Sequence, residues 1–429
     1  MCAGAALGLF VSIPAQAAKS QVAPTPTNTQ PRSPQGTPPP ANAQPRQQQR
    51  PDQFPPNPLE LNQPDPLLPG GLKRPLSAAE QRTLRTALDE LNNQATTTLR
   101  SGNVLGAFDL WNRELRLRRA LGVLEETQAL GRVGEQAWKQ NQATEVQLIT
   151  QRLKQIQAQV QTPGKTKSQG NVSNRVQVLP ALGAAYQQVR SPGLALGVYQ
   201  QMLADARQRR DGVEEVNSLN TIGQLHLSWF DYPPAIATYT ELLNLARSRN
   251  DAQNVLANLI QLAYTYEQAN QPAQAAQYQE QIIGFYQKNQ QSELIPALKI
   301  RLADNYAASR QLDLAEKNYQ DAFELARPLF QLAYASDALQ KLGVLYRSNN
   351  RLNAALKVYD YLATVQQQAY DIYGVMDAYD QIGQIQIQRK AYPEALNAFQ
   401  QGLEFAKQLN YRTDYFNAQI QKVSQQSRQ

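Results

Sequence analysis

From about residue 175 to the C-terminus, apolar positions recur at steps of three and four, as Leu256, Leu259, Leu262, Ala263 and Tyr266 do. That is the spacing of one buried helical face. The run breaks at Asn270, Gln271 and Pro272, and a second helix is predicted from about Ala273 to Lys288. Breaks of the same kind stand at Ser191-Pro192-Gly193, Asp231-Tyr232-Pro233-Pro234, Asn349-Asn350 and Ala391-Tyr392-Pro393. Proline in a first helical turn removes only an N–H that has no intrahelical acceptor. Asp211, Asp251 and Asp371 stand in phase where a side-chain oxygen can cap the following helix.

A longer period lies over the helical one. Gly183, Gly223, Ala263, Ala303, Gly343 and Gly383 are forty residues apart, and twelve residues after each comes Ala195, Ala235, Ala275, Ala315, Ala355 or Ala395. Four residues further stand Tyr199, Tyr239, Gln279, Tyr319, Tyr359 and Phe399, a ring in five of six units. Three residues after each member of the first set come Tyr186, His226, Tyr266, Tyr306, Tyr346 and Gln386. Small residues at two fixed phases let two helices approach closely while the ring fills the space beside them. Self-similarity at this period predicts a solenoid, each unit burying its apolar face against its neighbours. Ala95, Ala107 and Trp111 repeat the same steps, as do Gly131 and Ala143 without the final ring, so two degenerate helix pairs are expected over 76–161. The stretch 162–174, TPGKTKSQGNVSN, breaks the phase and reads as an exposed loop. Its Gly164-Lys165-Thr166 lacks the glycine five residues earlier that a phosphate-binding loop requires, Gln159 standing there instead.

In this spacing, as in Leu342-Gly343-Val344-Leu345-Tyr346 followed by Ala355-Leu356-Lys357-Val358-Tyr359, the chain resembles the tetratricopeptide repeat family. The resemblance covers six units over 175–412, with 413–429 as a capping helix and tail. It implies an all-α, right-handed solenoid of antiparallel helix pairs. The family's usual period is about 34 residues, so forty is a departure that resembles its longer-helix members.

Composition divides the chain at about residue 75, since 17 of the 26 prolines precede it. Residues 18–75 therefore read as a disordered Pro/Gln-rich tether, with Pro38, Pro39 and Pro40 as spacer. Ahead of it, the apolar run Ala3 to Ile13 followed by Ala15-Gln16-Ala17 has the form of a signal peptide over 1–17, although no Lys or Arg precedes the run. Export is the expectation. Gln-rich exported repeat chains of this kind resemble envelope or lumenal proteins of bacteria, cyanobacteria among them, that assist the assembly of membrane complexes. The likeness implies the periplasm, the cell envelope or, in a cyanobacterium, the thylakoid lumen.

Catalysis finds little to use. Cleavage of the signal would remove Cys2, the one cysteine, and His226, the one histidine, occupies a phase held by tyrosine in four other units. No catalytic, cofactor-binding or metal-binding residues are assigned, and the chain is read as no enzyme. The net charge of +7 is uneven: +3 over 18–75, +5 over 76–175 and −1 in the regular repeats. Arg113, Arg116, Arg118 and Arg119 are the densest basic cluster, a candidate contact for anionic lipid, an acidic protein or a wall polymer. The repeats carry no sustained basic stripe, which disfavours nucleic acid.

The family resemblance implies that first helices line a concave groove that holds a partner protein or extended peptide. The groove candidates are Asn217, Asn220, Gln224, Tyr264, Glu267, Asp304, Asp337, Gln340, Arg347, Asp377, Asp380 and Gln384. Amides suit a peptide backbone, Tyr264 suits an anchor, and the aspartates favour a partner with positive charge. The clamp of lysine, arginine and asparagine with which chaperone-binding members grip a C-terminal carboxylate is absent, since Pro180, Asn220, Ile260, Ile300, Gln340 and Asp380 stand at those positions and none is lysine or arginine. The alternative reading is a structural tether, held through its basic N-terminal region, whose repeats self-associate.

Overall fold

The computed structural model describes residues 57–61, 64–69, 76–161 and 169–428, and side chains in the last stretch from residue 175 onward. All of these lie in one unit, Pro56–Gln429. The signal-peptide reading of 1–17, the prolines of the tether and Gly164-Lys165-Thr166 fall outside the described residues.

The described chain is an all-α solenoid. The helices are α1 (Ala78–Arg100), α2 (Val104–Arg118), α3 (Val123–Lys139), α4 (Ala143–Gln161), α5 (Gln169–Gln188) and α6 (Pro192–Arg209). Then follow α7 (Gly212–Ser228), α8 (Tyr232–Ser248), α9 (Ala252–Gln268), α10 (Pro272–Lys288), α11 (Ile295–Ala308) and α12 (Leu312–Ala326). The last are α13 (Leu332–Ser348), α14 (Leu352–Gln368), α15 (Ile372–Gln388), α16 (Tyr392–Leu409) and α17 (Thr413–Gln426). From α5 onward each helix packs chiefly on its predecessor and its successor, while α5 meets both α3 and α4.

The close approach expected of the small residues is present. All six alanines of the second phase, from Ala195 to Ala395, are fully buried. A Cβ placed on Gly183 would lie 2.6 Å from the Tyr199 ring, and one on Gly343 would lie 2.8 Å from Tyr359. Where the third unit has Ala263, the partner position holds Gln279, whose buried amide bonds Glu267 and Asn305 instead of offering a ring. Asp211, Asp251 and Asp371 cap α7, α9 and α15 by accepting from the backbone N–H three residues on, at 3.1, 3.1 and 2.9 Å.

The joints follow a rule with a period of twenty. Arg190, Arg210, Phe230, Asn250, Asn270, Gln290, Arg310, Phe330, Asn350, Tyr370, Lys390 and Asn410 all have φ between 49° and 62°. Each closes a helix in the left-handed conformation and returns the next N–H to the last turn; Ser191 N donates to Tyr186 O at 2.8 Å and Asp251 N to Ala246 O at 2.9 Å. Turns within and between pairs are thus equivalent, and none of the twelve uses glycine.

Three boundaries differ from the sequence reading. α5 starts at Gln169, inside the stretch read as a loop. Buried Val178, Leu179 and Leu182 anchor that helix, and extension from an anchored turn is cheaper than starting one. α17 continues to Gln426, past the Ser424 where a loose tail was expected, with Phe416 and Val423 fully buried. The tether reading of 18–75 also fails at its C-terminal end. Leu59 is buried in the α1–α6 core, and Leu67 and Leu68 pack on the cluster of Leu84, Leu88, Leu91 and Leu117. Leu59, Leu67 and Leu68 supply the apolar surface that docks it.

Candidate partner-binding face

The candidate residues on the first helices divide into two kinds. Asn217 and Gln224 on α7, Tyr264 on α9 and Gln340 on α13 are exposed, Tyr264 by 38%. Asn220 on α7 is half-buried. Among the described residues none of these five side chains makes a hydrogen bond or ion pair, so their polar groups are open to a ligand.

Glu267, Asp304, Arg347, Asp377, Asp380 and Gln384 act as struts between consecutive units. Glu267 receives Arg301 at 2.6 Å, Gln279 at 2.7 Å and Asn305 at 3.0 Å. Asp304 accepts from Lys341 Nζ at 2.8 Å and from the Tyr319 hydroxyl at 2.6 Å. Arg347 donates to Gln381 at 2.6 Å. Arg412 reaches Asp377 and Asp380, each at 2.6 Å, and Asp380 also accepts from Tyr415 at 2.8 Å and from Gln384. The pairs Glu267–Arg301, Asp304–Lys341, Arg347–Gln381 and Asp380–Arg412 lie 32 to 37 residues apart, so a side chain on one first helix meets the next unit. Buried charges need such partners. The acidic lean of the face is therefore partly neutralised by Arg301, Lys341 and Arg412, which the sequence reading did not include. The available signal was a basic residue about 35 positions after an acidic one.

Two aspartates keep unusual acidity. Burial pushes the Asp337 carboxyl up, with nearby Lys341 opposing and Asp304 adding to the rise. Burial likewise pushes Asp377 up, against the pull of Arg412 and with repulsion from Asp380. Asp377 belongs to a cleft of about 450 Å³ between α13, α14 and α15. Gln340, Gln366, Asp371, Tyr373 and Asp380 share its walls, and Arg412 closes one side. Three candidates thus converge here, Gln340, Asp377 and Asp380; Asn217, Asn220, Gln224 and Tyr264 stand on earlier units.

The basic cluster on α2 is placed differently from the expectation. Arg113 makes a bidentate pair with Asp65 at 2.7 and 2.9 Å, and Arg116 donates to Pro58 O at 2.6 Å. Arg118 is buried among Glu114, Glu125 and Asp89, and Arg119 holds Glu126 at 3.1 Å. Glu114 and Glu126 are buried and are gripped a second time by Arg132 and Arg152, each at 2.6 Å. All four arginines are engaged within the chain, because buried carboxylates on α2 and α3 and the docked segment need them as counter-charges. They do not form a free anion-binding surface. His226 is half-buried on α7, its Nδ1 3.1 Å from Asp231.

No family model matches the chain, and no curated protein matches it. Among solved structures it is similar to BtubC (BKLC) from P. vanneervenii, at 18% identity over 50% of this chain and 91% of that one, with a TM-score of 0.36. It is also similar to a Podosopora anserina putative kinesin light chain with nearly identical TPR-like repeats, at 16% identity over 45% of this chain and 96% of that one, TM-score 0.36. The apo form of RapI shares 11% identity over 80% of this chain and 98% of that one, TM-score 0.39. With identities and TM-scores this low, the solenoid stands on the chain's own helix packing.

Proposed function

We infer that this chain is a non-enzymatic scaffold that binds a partner protein or extended peptide along the face of its first helices. The observation that carries the reading is the division of that face. Glu267, Asp304, Arg347 and Asp380 are tied into the solenoid, while Asn217, Gln224, Tyr264 and Gln340 are exposed and unengaged beside them. A rigid row of struts with free amides and a ring between them offers a peptide donors, acceptors and apolar contact at little ordering cost. The N-terminal sequence 1–17 favours export, which would set the interaction in the periplasm, envelope or a lumen. The alternative, a tether held through basic residues of the N-terminal region, loses support from the engagement of Arg113, Arg116, Arg118 and Arg119.

The test is crosslinking mass spectrometry of the tagged protein in its native cells, beside a Gln224→Ala, Tyr264→Ala, Gln340→Ala variant. All three side chains are exposed, and among the described residues none makes a hydrogen bond or ion pair. A partner crosslinked near α7, α9 and α13 and lost in the variant supports the scaffold. Crosslinks confined to other copies of the chain, unchanged in the variant, favour self-association and remove the scaffold reading.

A further inference from the structure

The cleft between α13, α14 and α15 contains a buried acceptor that the fold leaves without a donor. Gln366, on α14, is 6% exposed and belongs to the cleft lining, and its side-chain Oε1, shielded from solvent, has no hydrogen-bond partner. A buried carbonyl in this state is destabilising, and it invites an N–H from outside the chain. Its carboxamide lies directly over Gly374, where any Cβ would collide with it and with Asp371 Oδ2. Glycine at that point is what allows the amide and the Asp371 carboxylate to stand side by side.

Charge in the cleft is out of balance. Asp371, Asp377 and Asp380 line it, and Arg412 is the one basic side chain among its lining residues. Arg412 takes one oxygen of Asp377 and one of Asp380, while Tyr415 and Gln384 take the other oxygen of Asp380. The N-terminal N–H of Gly374 takes one oxygen of Asp371. One oxygen each of Asp371 and Asp377 remains, together with Gln366 Oε1. No three His, Cys, Asp or Glu side chains among the described residues are grouped so as to hold a metal ion. Separated oxygen acceptors suit a cation with several N–H donors pointing different ways. One wall is aromatic: Tyr373 is 45% exposed and stands against Tyr411, 47% exposed, with ring centroids 5.2 Å apart. Tyrosine faces attract ammonium and guanidinium groups and supply contact area to the chain that carries them.

We propose that this cleft is a pocket for one basic side chain, lysine or arginine, of an extended partner peptide lying across α13 and α15. The pocket rests on the scaffold reading above and specifies its partner. The free oxygens of Asp371 and Asp377 receive the cation, Gln366 Oε1 accepts from it as the carboxamide turns into the cleft, and Tyr373, backed by Tyr411, packs on its aliphatic stem.

The test pans a random dodecapeptide phage library against the full chain, against Gln366→Met, and against an Asp371→Asn, Asp377→Asn variant. Asparagine caps a helix as well as aspartate, so the double variant keeps the start of α15. Gln366→Met removes the orphan acceptor at nearly constant volume and is expected to melt no lower than the wild type. The wild type is expected to enrich peptides with Lys or Arg at one position. Replacing that residue by norleucine, in anisotropy measurements with the synthetic peptide, is expected to weaken binding about tenfold, as is either variant. Selected peptides without a basic residue, or basic peptides that bind all three proteins equally, would overturn the pocket and leave the scaffold standing. A wild type that enriches nothing would overturn both.

Discussion

The two ends of the solenoid handle charge in opposite ways. On α2 and α3 the buried carboxylates Glu114 and Glu126 each receive two guanidinium groups, and a docked segment covers the outside through Asp65. At α15 a single guanidinium, Arg412, is shared between Asp377 and Asp380 beside an open cleft. The N-terminal end has the densest run of arginines in the sequence and offers none of them, and its unpartnered acceptors, Glu114 Oε2 among them, are sealed from solvent; the C-terminal end looks unremarkable in sequence and keeps carboxylate oxygens of Asp371 and Asp377 free beside an open cleft. The ratio of charges to counter-charges within contact distance decides which end can hold a partner, and linear charge density does not report it.

The largest effect that sharpens this contrast is expected from Glu114→Ala. It strips Arg118 and Arg132 of a fully buried partner, and unfolding by urea should show a loss of about 3–5 kcal/mol. Removing the open-end counterpart, Asp377→Ala, should cost less than about 1 kcal/mol, because that side chain is 46% exposed and leaves Arg412 its bond to Asp380. Equal losses at the two sites would break the comparison.

Core packing gives a smaller effect. Gly343→Ala pushes a methyl against the Tyr359 ring and is expected to cost about 1–3 kcal/mol, whereas Ala263, opposite Gln279, already accommodates a methyl. This contact was legible in the forty-residue phase, because a small residue sixteen positions before a ring is what two close helices require, glycine in four units and Ala303 before Tyr319 in another. The joints were not legible in the same way. Their left-handed residues include Phe330, Tyr370, Arg310 and Lys390, side chains that carry no turn signal; only the asparagines at 250, 270, 350 and 410 hinted at the register of twenty. Tyr370→Gly should therefore raise stability, by about 0.5–1 kcal/mol, since Tyr370 is almost fully exposed and glycine adopts its φ of 57° without strain.

Acid distinguishes the two ends with the smallest change. Arg113 holds the Asp65 carboxyl below its ordinary value of 3.8, chiefly by hydrogen bonding and against burial. The stability this contributes is present above pH 3.8 and is lost as pH falls through the lower folded value. Hydrogen exchange over residues 64–69 should accelerate only below that pH. Asp377 is shifted the other way, so this carboxylate loses its charge at a higher pH than an ordinary aspartate, and affinity for a basic peptide should fall before the docked segment loosens.

How far the site was legible follows the same line. Asp377, Asp380 and Gln340 could be placed on first helices from the repeat phase, and the structure brings them to one cleft. Gln366 on a second helix, Tyr373 in a first turn and Arg412 at a joint could not, since their convergence depends on contacts between units. The fate of Arg113, Arg116, Arg118 and Arg119 was hidden for the same reason. Their carboxylate partners are set by packing, and Asp65 lies 48 residues from Arg113.

Carboxyl footprinting with carbodiimide and glycine ethyl ester, read by mass spectrometry on the full chain, tests the central claim most directly. Asp371 and Asp377 are expected to label early and to be protected by a bound basic peptide, while Glu114 and Glu126 stay unmodified until the chain unfolds. Early labelling of Glu114 or Glu126, or resistance of Asp371 and Asp377 in the free protein, would contradict it.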